Sequence, residues 1–367
     1  MNKTIGIDVY SALHYPRGMG NYTINFLKEL VAQDNKTNYI LYADTDDVEK
    51  ILPEQNNVSF KKLKANGLFH YEQFILPKQC KKDGIDILLS PANTSPIFLD
   101  KKIKRILALH DVIFLKKEVP WFKNKRQILG RIYYSITSLN AKRASIILTP
   151  TEYSKNDIIK TLHITANKII VDSRGHEHFN TEKATDLELL KQKYNIPQKY
   201  FFHLGGDAPS KNTDTLLELF SKQEDINIVI AGIKNLDTSH LFNKYKSFAN
   251  IIFVPYISQK DLVGLYNNAE AFIFPSIYEG FGLPLLEAMK CNCPVISSNA
   301  TCLPEVAGNA ALYFNPKDKK EILEKIKSIN SEKSLRNNLI KKGQIQLQKY
   351  SWLNTAKLVK ECLNNAY

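Results

Sequence analysis

Two glutamates, Glu279 and Glu287, stand eight positions apart around a glycine-rich loop. The loop carries Gly280-Phe281-Gly282, follows the apolar run 271–275, and leads into a predicted helix with Pro284 in its first turn. Backbone amides at such a helix start can hold a phosphate or sugar oxygen. A carboxylate accepts hydroxyl hydrogen bonds, which suits the vicinal diols of a sugar. This spacing predicts a nucleotide-sugar site, with one carboxylate on the hexose, one on the ribose and the diphosphate between them.

Three further loops that follow predicted strands carry residues able to do chemistry. Gly18 and Gly20 precede a predicted helix, where their backbone amides would approach an anion. Gly206 precedes another helix, with Lys211 placed to reach a phosphate, and His110 ends an apolar strand. Each has a plain alternative: a tight turn, a surface lysine, and a histidine bonded to loop backbone. The residues alone leave these alternatives open.

The elements that must position these loops are strands alternating with helices. The strands are apolar on both faces, which is typical of parallel sheets covered on both sides, so we expect a doubly wound α/β protein. Ligands bind beyond the carboxyl ends of such strands. The predicted strands are Thr4–Val9, Tyr39–Ala43, Ile85–Ser90, Ile106–His110, Ile146–Pro150, Phe201–Gly205, Ile226–Ala231, Ile251–Val254, Ala271–Pro275 and Pro294–Ser297. The clearest predicted helices are Tyr22–Val31, Ile128–Arg143, Thr213–Phe220 and Leu262–Ala269.

The 367-residue length favours two domains of ordinary size. The strand–helix alternation is interrupted once, around Arg174–Pro197, and then restarts with a strand and a glycine turn. We therefore predict a first domain over 1–180, a second over 181–350, and a last amphipathic helix over 351–367.

Several classes of protein are disfavoured. No apolar run is long enough for a transmembrane helix, and the N-terminus lacks the apolar core of a signal peptide, so a cytoplasmic protein is expected. The five cysteines form no CxxC pair and no zinc spacing with histidines, so neither a metal site nor disulfides are expected.

The net charge of +13 is concentrated in lysine clusters of the first half, including Lys101–Arg105 and Lys116–Arg126. Two interpretations stay open: a solvated surface, or contact with an anionic membrane or a phosphate-bearing substrate. Nucleic acid is disfavoured as a partner because no nucleic-acid-binding motif accompanies the charge. Aromatic residues such as Phe114, Trp121 and Phe122 lie among the basic ones and favour peripheral membrane contact.

The run from Leu265 to Pro316 resembles glycosyltransferase family 4, and Glu279 to Glu287 reproduces the E-x7-E signature of its retaining members. The resemblance extends to GMGNYT, ALHDVIF, LTPTEYSKND and GGDAPSKN, and so covers most of the chain. It implies a GT-B fold, with two doubly wound Rossmann-like domains whose parallel sheets face a cleft. It also implies a metal-independent hexosyltransferase, with acceptor in the N-terminal half and nucleotide sugar in the C-terminal half.

The resemblance also implies roles for individual residues. Glu279 would contact the transferred sugar, His110 would lie near its anomeric region, and Lys211 would neutralise the diphosphate. The remaining donor-binding residues would be Gly18, Gly20, Gly206, Tyr256, Ile257, Gly280, Phe281, Gly282, Leu283 and Glu287. Chemistry would be a front-face transfer, in which the leaving diphosphate helps to deprotonate the acceptor hydroxyl.

Two departures from the family pattern stand out. Many members carry Arg-Lys-Asn where this chain has Ser210-Lys211-Asn212, which leaves the diphosphate to Lys211 or to another basic group. The common Asn-Gly-Val-Asp after the interdomain strand is replaced by a segment at Ser173–His178. The hinge region is therefore atypical.

The function expected is transfer of a hexose, with GDP-mannose as the suggested donor and no cofactor, to a saccharide or lipid-linked saccharide acceptor. Such an enzyme serves polysaccharide or lipopolysaccharide synthesis. Two alternatives remain: a nucleotide-sugar epimerase on the same fold, and a non-catalytic nucleotide-sugar-binding subunit of a partner transferase. Labelled donors with lipid-linked acceptors separate the three, by product on the acceptor, isomerised donor, or binding without turnover.

Overall fold

The computed structural model describes residues 3–15, 18–47, 51–52, 55–117, 119, 125–255 and 257–366, without the side chains of 125–127. The chain divides into two compact units. Unit 1 comprises Met1–Lys116, Asn124–Gly175 and Ser351–Tyr367, and unit 2 comprises Lys117–Lys123 and His176–Tyr350.

Unit 1 is built on a seven-stranded parallel sheet in the order β3-β2-β1-β4-β5-β6-β7. Its strands are β1 (Thr4–Asp8), β2 (Asn38–Ala43), β3 (Val58–Lys62), β4 (Ile87–Ser90), β5 (Lys104–Ala108), β6 (Ile146–Thr149) and β7 (Ile169–Val171). Its helices are α1 (Tyr10–His14), α2 (Met19–Ala32), α3 (Gly67–His70), a π-helical turn (Tyr71–Ile75) continuing into α4 (Leu76–Lys82), α5 (Lys125–Ser138), α6 (Glu152–Leu162) and α15 (Trp352–Asn365).

Both faces of this sheet are covered, as the apolar strands require. Leu41 faces a core formed with α2 and α15, while its neighbour Tyr42 faces a second core with Tyr71 and Leu76. Successive strand residues point to opposite faces, so each strand serves both cores. The C-terminal helix α15 thus belongs to unit 1, where Trp352 and Val359 are buried.

Unit 2 is built on a six-stranded parallel sheet in the order β10-β9-β8-β11-β12-β13. Its strands are β8 (Phe201–Leu204), β9 (Ile228–Ala231), β10 (Ile251–Phe253), β11 (Phe272–Phe274), β12 (Val295–Ser298) and β13 (Ala311–Phe314). Its helices are α7 (Leu187–Tyr194), α8 (Thr213–Phe220), α9 (His240–Tyr245), α10 (Gln259–Asn268), α11 (Leu283–Lys290), α12 (Leu303–Ala307), α13 (Lys319–Ser331) and α14 (Lys333–Leu347).

The predicted doubly wound α/β class is confirmed. Helix α8 has the predicted bounds, whereas the helix predicted over Ile128–Arg143 starts at Lys125, and its last five residues form a 3-10 turn. In each sheet the chain order reverses once, between β1 and β4 in unit 1 and between β8 and β11 in unit 2. Such switch points are where open α/β sheets bind ligands.

Candidate functional site

The predicted glycine loops of unit 2 follow β8 and β11, the two strands at its switch point. Because these strands pair side by side, their loops meet, and the Ile277 amide donates to the Ser210 carbonyl at 2.8 Å. This contact places the short 3-10 turn Pro209–Lys211 against the loop 275–282. The structure therefore brings Lys211 and Glu279 together, although 68 positions separate them in the chain.

Lys211 and Glu279 form an ion pair. The Nζ of Lys211 lies 2.6 Å from Oε1 of Glu279, and the two side chains are 31% and 14% exposed. The ammonium also lies 5.4 Å from the centroid of the Phe274 ring. Both groups remain open to solvent, so a ligand that carries phosphate and hydroxyl groups can take over either half of the pair.

A second turn, at 301–303, fixes the loop that carries Glu279. The Glu279 amide donates to Thr301 Oγ1 at 3.2 Å, and the Cys302 thiol lies 3.2 Å and 3.3 Å from the carbonyl oxygens of Glu279 and Phe281. Gly282 has φ +98°, and a Cβ there would lie 2.8 Å from Leu303. Glycine is therefore required at 282 for conformation and for space.

The start of α11 presents unpaired donors. Among the described residues, none accepts a hydrogen bond from the amides of Phe281, Gly282 or Leu283. The Phe281 side chain is buried against Tyr350, with ring centroids 5.6 Å apart, so this amide is held in place. These donors at the positive end of a helix dipole suit the oxygens of a phosphate or sugar.

Glu287 lies about one turn into α11 and is largely buried. The hydroxyl of the buried Tyr266 donates to Glu287 Oε2 at 3.3 Å. Burial, followed by the negative charge of Glu287, raises the pKa of Tyr266 well above its usual value, so Tyr266 remains a hydrogen-bond donor. The Tyr266 hydroxyl thus holds one carboxylate oxygen of Glu287 in place.

Gly206 lies in the turn after β8, which the buried His203 supports. The Nδ1–H of His203 donates to the Ile273 carbonyl at 2.9 Å, and Thr213 Oγ1 donates to Nε2 at 3.1 Å. A Cβ on Gly205 would lie 2.0 Å from that Nε2, so the turn passes directly over the ring. Burial lowers the pKa of His203 to about 4, which keeps the ring neutral.

His110, the predicted catalytic residue of unit 1, is enclosed by protein. Its Nε2 donates to the Pro91 carbonyl at 2.8 Å, and its Nδ1 accepts from Arg174 Nη2 at 2.6 Å. Burial, together with the charge of Arg174, lowers the pKa of His110 well below its usual value. With both ring nitrogens bonded to protein, a neutral His110 reaches a substrate through a ring nitrogen only if one of these bonds opens.

The buried Arg174 organises this cluster. Its guanidinium carbon lies 3.7 Å from the centroid of the Tyr22 ring, and its Nη2 lies 3.9 Å from Asp172 Oδ1. The Tyr22 hydroxyl donates to Asp172 Oδ2 at 2.5 Å. Four buried side chains, from α2, the end of β5 and the segment after β7, therefore form one charged network, which we call the His110 cluster (Tyr22, His110, Asp172 and Arg174).

Gly18 and Gly20 have structural reasons for being glycine. Gly18 caps α2 with φ +61°. A Cβ on Gly20 would lie 2.1 Å from the Tyr15 carbonyl oxygen, to which the Gly20 amide donates at 3.1 Å. The predicted role of the Gly20 amide in binding an anion therefore requires this bond to open. Ile257 is buried in unit 2, whereas Tyr256 lies outside the described residues.

The basic clusters are only partly surface charge. Arg105 is buried and donates to Ser95 Oγ at 3.0 Å, and Lys116 forms an ion pair with Asp157. Trp121, Phe122 and Lys123 lie outside the described residues. Within the described ranges, no group of three or more His, Cys, Asp or Glu side chains could hold a metal ion. No helix in that part of the chain has the length and hydropathy to cross a bilayer.

Sequence reasoning missed Arg174, Asp172, Thr301 and Cys302. Arg174 lies in the segment Ser173–His178 that departs from the family pattern, and Asp172 directly precedes it, so this departure is the one signal that the sequence offers. Thr301 and Cys302 bond to backbone atoms of the loop, and such contacts cannot be predicted from the residue types. Each of these residues contacts a partner at least 21 positions away in the chain.

Comparisons with known proteins agree with this geometry. Residues 186–346 match the family model described as glycosyl transferases group 1. The chain is 27% identical over 370 residues to O-antigen chain mannosyltransferase B of Escherichia coli, covering 93% of this chain and 94% of that protein.

Two further matches differ in coverage. The chain is 29% identical over 275 residues to the serotype-specific mannosyltransferase WbdA of Escherichia coli, covering 70% of this chain but 33% of that protein. It thus matches about a third of the length of that relative. The solved structure of WaaG, a glycosyltransferase involved in lipopolysaccharide biosynthesis, superposes with a TM-score of 0.73 at 13% identity, covering 98% and 100% of the two chains.

The family model spans α7 to α14 and contains Lys211, Glu279 and Glu287, and the fold extends over the rest of the chain. Residues 186–346 thus carry the match to the group 1 glycosyl transferases, and the whole chain has the GT-B fold.

Proposed function

We propose that this protein transfers a hexose from a nucleotide sugar to a saccharide or lipid-linked saccharide during synthesis of a cell-surface polysaccharide. The observation that carries the proposal is the Lys211–Glu279 pair beside the unpaired amides of 281–283, within the region that matches the family. A cation for a diphosphate, a carboxylate for hydroxyls and amides for oxygens are the groups that a nucleotide sugar needs.

Mannose is the proposed sugar and GDP-mannose the proposed donor. The support is that the relatives reported above are named as mannosyltransferases. A thermal-shift screen of GDP, UDP and dTDP sugars tests the choice, because a ligand stabilises the native state in proportion to RT ln(1 + [L]/Kd). We expect the largest shift with GDP-mannose, and a larger shift with a UDP or dTDP sugar would contradict that assignment.

The proposed chemistry requires the ion pair to open. Lys211 would move to the diphosphate as the bond between the anomeric carbon and the phosphate oxygen breaks, and Glu279 would accept hydroxyls of the transferred sugar. The acceptor oxygen bonds to the same anomeric carbon, and its proton passes to the leaving diphosphate. We propose that the product retains the donor's anomeric configuration and that no cofactor or metal ion takes part. Positioning and electrostatics then supply the rate enhancement.

A transfer assay tests the function as a whole. Purified protein is incubated with labelled GDP-mannose and a polyprenyl-diphosphate-linked saccharide, with and without a chelator, and the product's anomeric configuration is read by NMR. Labelled acceptor with retained configuration supports the proposal. Isomerised donor would indicate an epimerase instead, and binding without turnover a non-catalytic subunit.

We further propose peripheral contact between unit 1 and the cytoplasmic face of an anionic membrane. Helix α5 exposes Leu129, Ile132 and Ile136, which share one face at helical spacing, and Leu129 is 66% exposed. The exposed Phe69 lies beside this helix, with its ring centroid 6.0 Å from that of Tyr133. The sequence 119–151 contains six basic residues and no acidic one. An apolar helix face in a basic segment is typical of a membrane-surface helix.

Sedimentation with phosphatidylglycerol vesicles tests this contact. We expect binding that weakens as salt rises and that is largely lost when Leu129, Ile132 and Ile136 become Ser. The control replaces Leu189 and Ile345, exposed aliphatic residues of unit 2, with Ser. Wild-type protein that stays in the supernatant at low salt would contradict the proposal.

A further inference from the structure

The two ring nitrogens of His110 face groups of opposite kinds. Nδ1 lies 2.6 Å from Nη2 of Arg174, and Nε2 lies 2.8 Å from the Pro91 carbonyl oxygen. A guanidinium can only donate a hydrogen bond, and a carbonyl can only accept one. Both contacts are therefore hydrogen bonds only when the ring carries its hydrogen on Nε2 and none on Nδ1. The pairing with Arg174 thus selects one of the two neutral tautomers.

Arg174 has no second acceptor within reach. The bond to His110 is the one hydrogen bond that its side chain makes with the described residues. Its Nη2 lies 3.9 Å from Asp172 Oδ1, too far for a hydrogen bond, and its buried Nε has no hydrogen-bond partner in the described part of the chain. Opening the bond to His110 would therefore leave a buried cation without an acceptor, which is costly.

The other two members of the His110 cluster hold Arg174 in position. Asp172 is fully buried and supplies the negative charge beside the guanidinium. The Tyr22 hydroxyl donates to Asp172 Oδ2 at 2.5 Å, and the centroid of the Tyr22 ring lies 3.7 Å from the guanidinium carbon. The same ring packs edge-on against His110, with centroids 5.1 Å apart. Tyr22 therefore fixes the arginine and the imidazole relative to each other.

The surroundings of His110 also oppose its protonation. A proton on Nδ1 would displace Arg174 and place an imidazolium beside a buried cation. The charged or titratable groups around the ring are Arg174 and Asp172 after β7, Tyr22 of α2, Cys362 of α15 and the adjacent Asp111. Asp172 is occupied by Arg174 and Tyr22, and Asp111 Oδ1 accepts from the Ile113 amide. The segment 91–94, which follows β4, has no titratable side chain.

We propose that Arg174 is a positioning residue: it fixes His110 as the neutral tautomer with hydrogen on Nε2, so that during transfer this ring donates a hydrogen bond and accepts no proton. The part of His110 in transfer rests on the proposed function. To reach a substrate oxygen, the ring gives up the Pro91 carbonyl and keeps Arg174, because a carbonyl that loses one donor costs less than a buried cation that loses its acceptor. The proton of the acceptor hydroxyl still passes to the leaving diphosphate.

The tautomer can be read by 15N NMR on the full chain, labelled in the rings of its eight histidines. The His110 signals are assigned by their absence in His110→Gln. We expect a hydrogen-bearing Nε2 and a bare Nδ1, with no titration between pH 8 and pH 5.5. A hydrogen on Nδ1, or a titration within that range, would overturn the proposal. The deciding spectra are those of the wild-type protein without substrates, so they do not depend on the transfer reaction.

Two substitutions of His110 separate hydrogen-bond donation from proton transfer. The glutamine amide carries an acceptor for Arg174 and a donor for the substrate, but it takes up no proton. His110→Gln should therefore keep kcat/KM within about tenfold of the wild-type value, and His110→Ala should lie at least about tenfold below His110→Gln. Equal losses in the two variants would contradict the donor role. So would a fall in wild-type kcat/KM, centred between pH 5.5 and pH 8, that is absent in His110→Gln.

Substitutions of Arg174 test its positioning role by a signal that lost stability alone does not change. In Arg174→Met the Nδ1 loses its donor, so the His110 signals should show both tautomers or titrate above pH 5.5. Arg174→Lys keeps a charged donor and should keep the wild-type tautomer. The control is Arg105→Met, which removes another buried arginine of unit 1, bonded to Ser95, and should leave the His110 signals unchanged. Unchanged signals in a folded Arg174→Met would overturn the proposal, and if that variant does not fold, the wild-type spectra and the His110 variants decide.

The outcomes also separate this inference from the proposed function. A fixed, non-titrating Nε2–H tautomer in a protein that transfers no sugar would retain the role of Arg174 and reject the transferase. Sugar transfer by a protein whose His110 titrates between pH 5.5 and pH 8 would retain the transferase and reject the role of Arg174.

Discussion

His110 and Glu279 are the two residues expected beside the transferred sugar, yet their surroundings differ. His110 is buried, neutral and bonded to protein through both ring nitrogens. Glu279 is partly exposed and is paired with Lys211, a group that also suits the ligand. His110 thus belongs to a hydrogen-bonded network that occupies both of its ring nitrogens. The Lys211–Glu279 pair, in contrast, is accessible to a substrate. Substitutions in the His110 cluster should therefore lower the stability of unit 1, whereas substitutions of Lys211 or Glu279 in unit 2 should lower activity.

The largest effect is expected from Arg174→Met. The substitution leaves Asp172 buried without its cation and removes the donor to His110, so the unfolding free energy of unit 1 should fall by about 3–5 kcal/mol. Hydrogen exchange of peptides from the two units measures the loss separately in each.

Two further variants show whether the loss comes from the unpaired charge. Arg336→Met breaks the partly exposed pair with Glu270 in unit 2 and should cost about 1 kcal/mol or less. Adding Asp172→Asn to Arg174→Met should recover part of the stability because no unpaired charge remains. If Arg174→Met lowers the unfolding free energy no more than Arg336→Met does, the His110 cluster is not the closed network that the geometry indicates.

The next effect is on catalysis. Glu279→Ala and Lys211→Ala should each lower kcat/KM for transfer at least about tenfold, because one hydrogen bond to a charged group is worth about 1.5–3 kcal/mol. Thermal unfolding should change little, since the pair is open to solvent. The control is Lys244→Ala, which breaks the exposed pair with Asp214 in the same unit. Turnover near the wild-type value in both variants would mean that the site is assigned wrongly.

The same contrast explains what the sequence could predict. Glu279, the glycines at 280 and 282 and the start of α11 are consecutive, so local rules of loops and helix termini are enough to predict them. Helix α8 is predicted with its observed bounds because its apolar periodicity is strong. The sequence pattern does not predict β3, β7 or β13. Strand β3 is half-exposed with two lysines, and β7 has only three residues.

The His110 cluster could not be predicted, because it depends on contacts distant in the chain. Tyr22 and Asp172 are 150 positions apart, and His110 and Arg174 are 64 apart. The Tyr71 hydroxyl, which donates to Asp8 Oδ1 at the end of β1, is likewise 63 positions away from Asp8. Long-range partners of this kind follow from topology, and topology is only coarsely specified by periodicity.

Acidification should also separate the two units. Burial lowers the pKa of His203 and of His178 in unit 2 to about 4, so below pH 6.5 the unfolded state binds protons that the native state does not. Stability of unit 2 therefore falls as the pH drops from 6.5 to 5, by about 2 kcal/mol for His203 at pH 5. In unit 1, burial raises the pKa of Asp8 to about 6 and of Glu72 to about 7, so the native state binds the extra protons and opposes the loss from His110.

Hydrogen exchange at pH 7.5 and pH 5, corrected for intrinsic exchange rates, measures this difference. Unit 2 should lose more protection than unit 1 over that interval, and His203→Gln should reduce the loss because glutamine does not titrate. Equal losses in the two units would show that the buried carboxyl groups of unit 1 do not compensate for its histidine.

The smallest effect concerns the hydrogen bond from Tyr266 to Glu287, and it tests whether this bond contributes to donor binding. Tyr266→Phe removes one hydrogen bond to Glu287 and leaves the ring in place. The lost bond is worth about 0.5–1.5 kcal/mol, so the carboxylate is held less firmly in its orientation. We expect the donor's Kd to rise about two- to tenfold with kcat unchanged, since a ribose contact differs little between ground and transition states. The control is Tyr200→Phe, whose hydroxyl donates to the Leu265 carbonyl in the same unit. Tyr200→Phe should lower the free energy of unfolding as much as Tyr266→Phe does and leave donor affinity unchanged. If both variants change donor affinity equally, Tyr266 is a core residue with no part in the site.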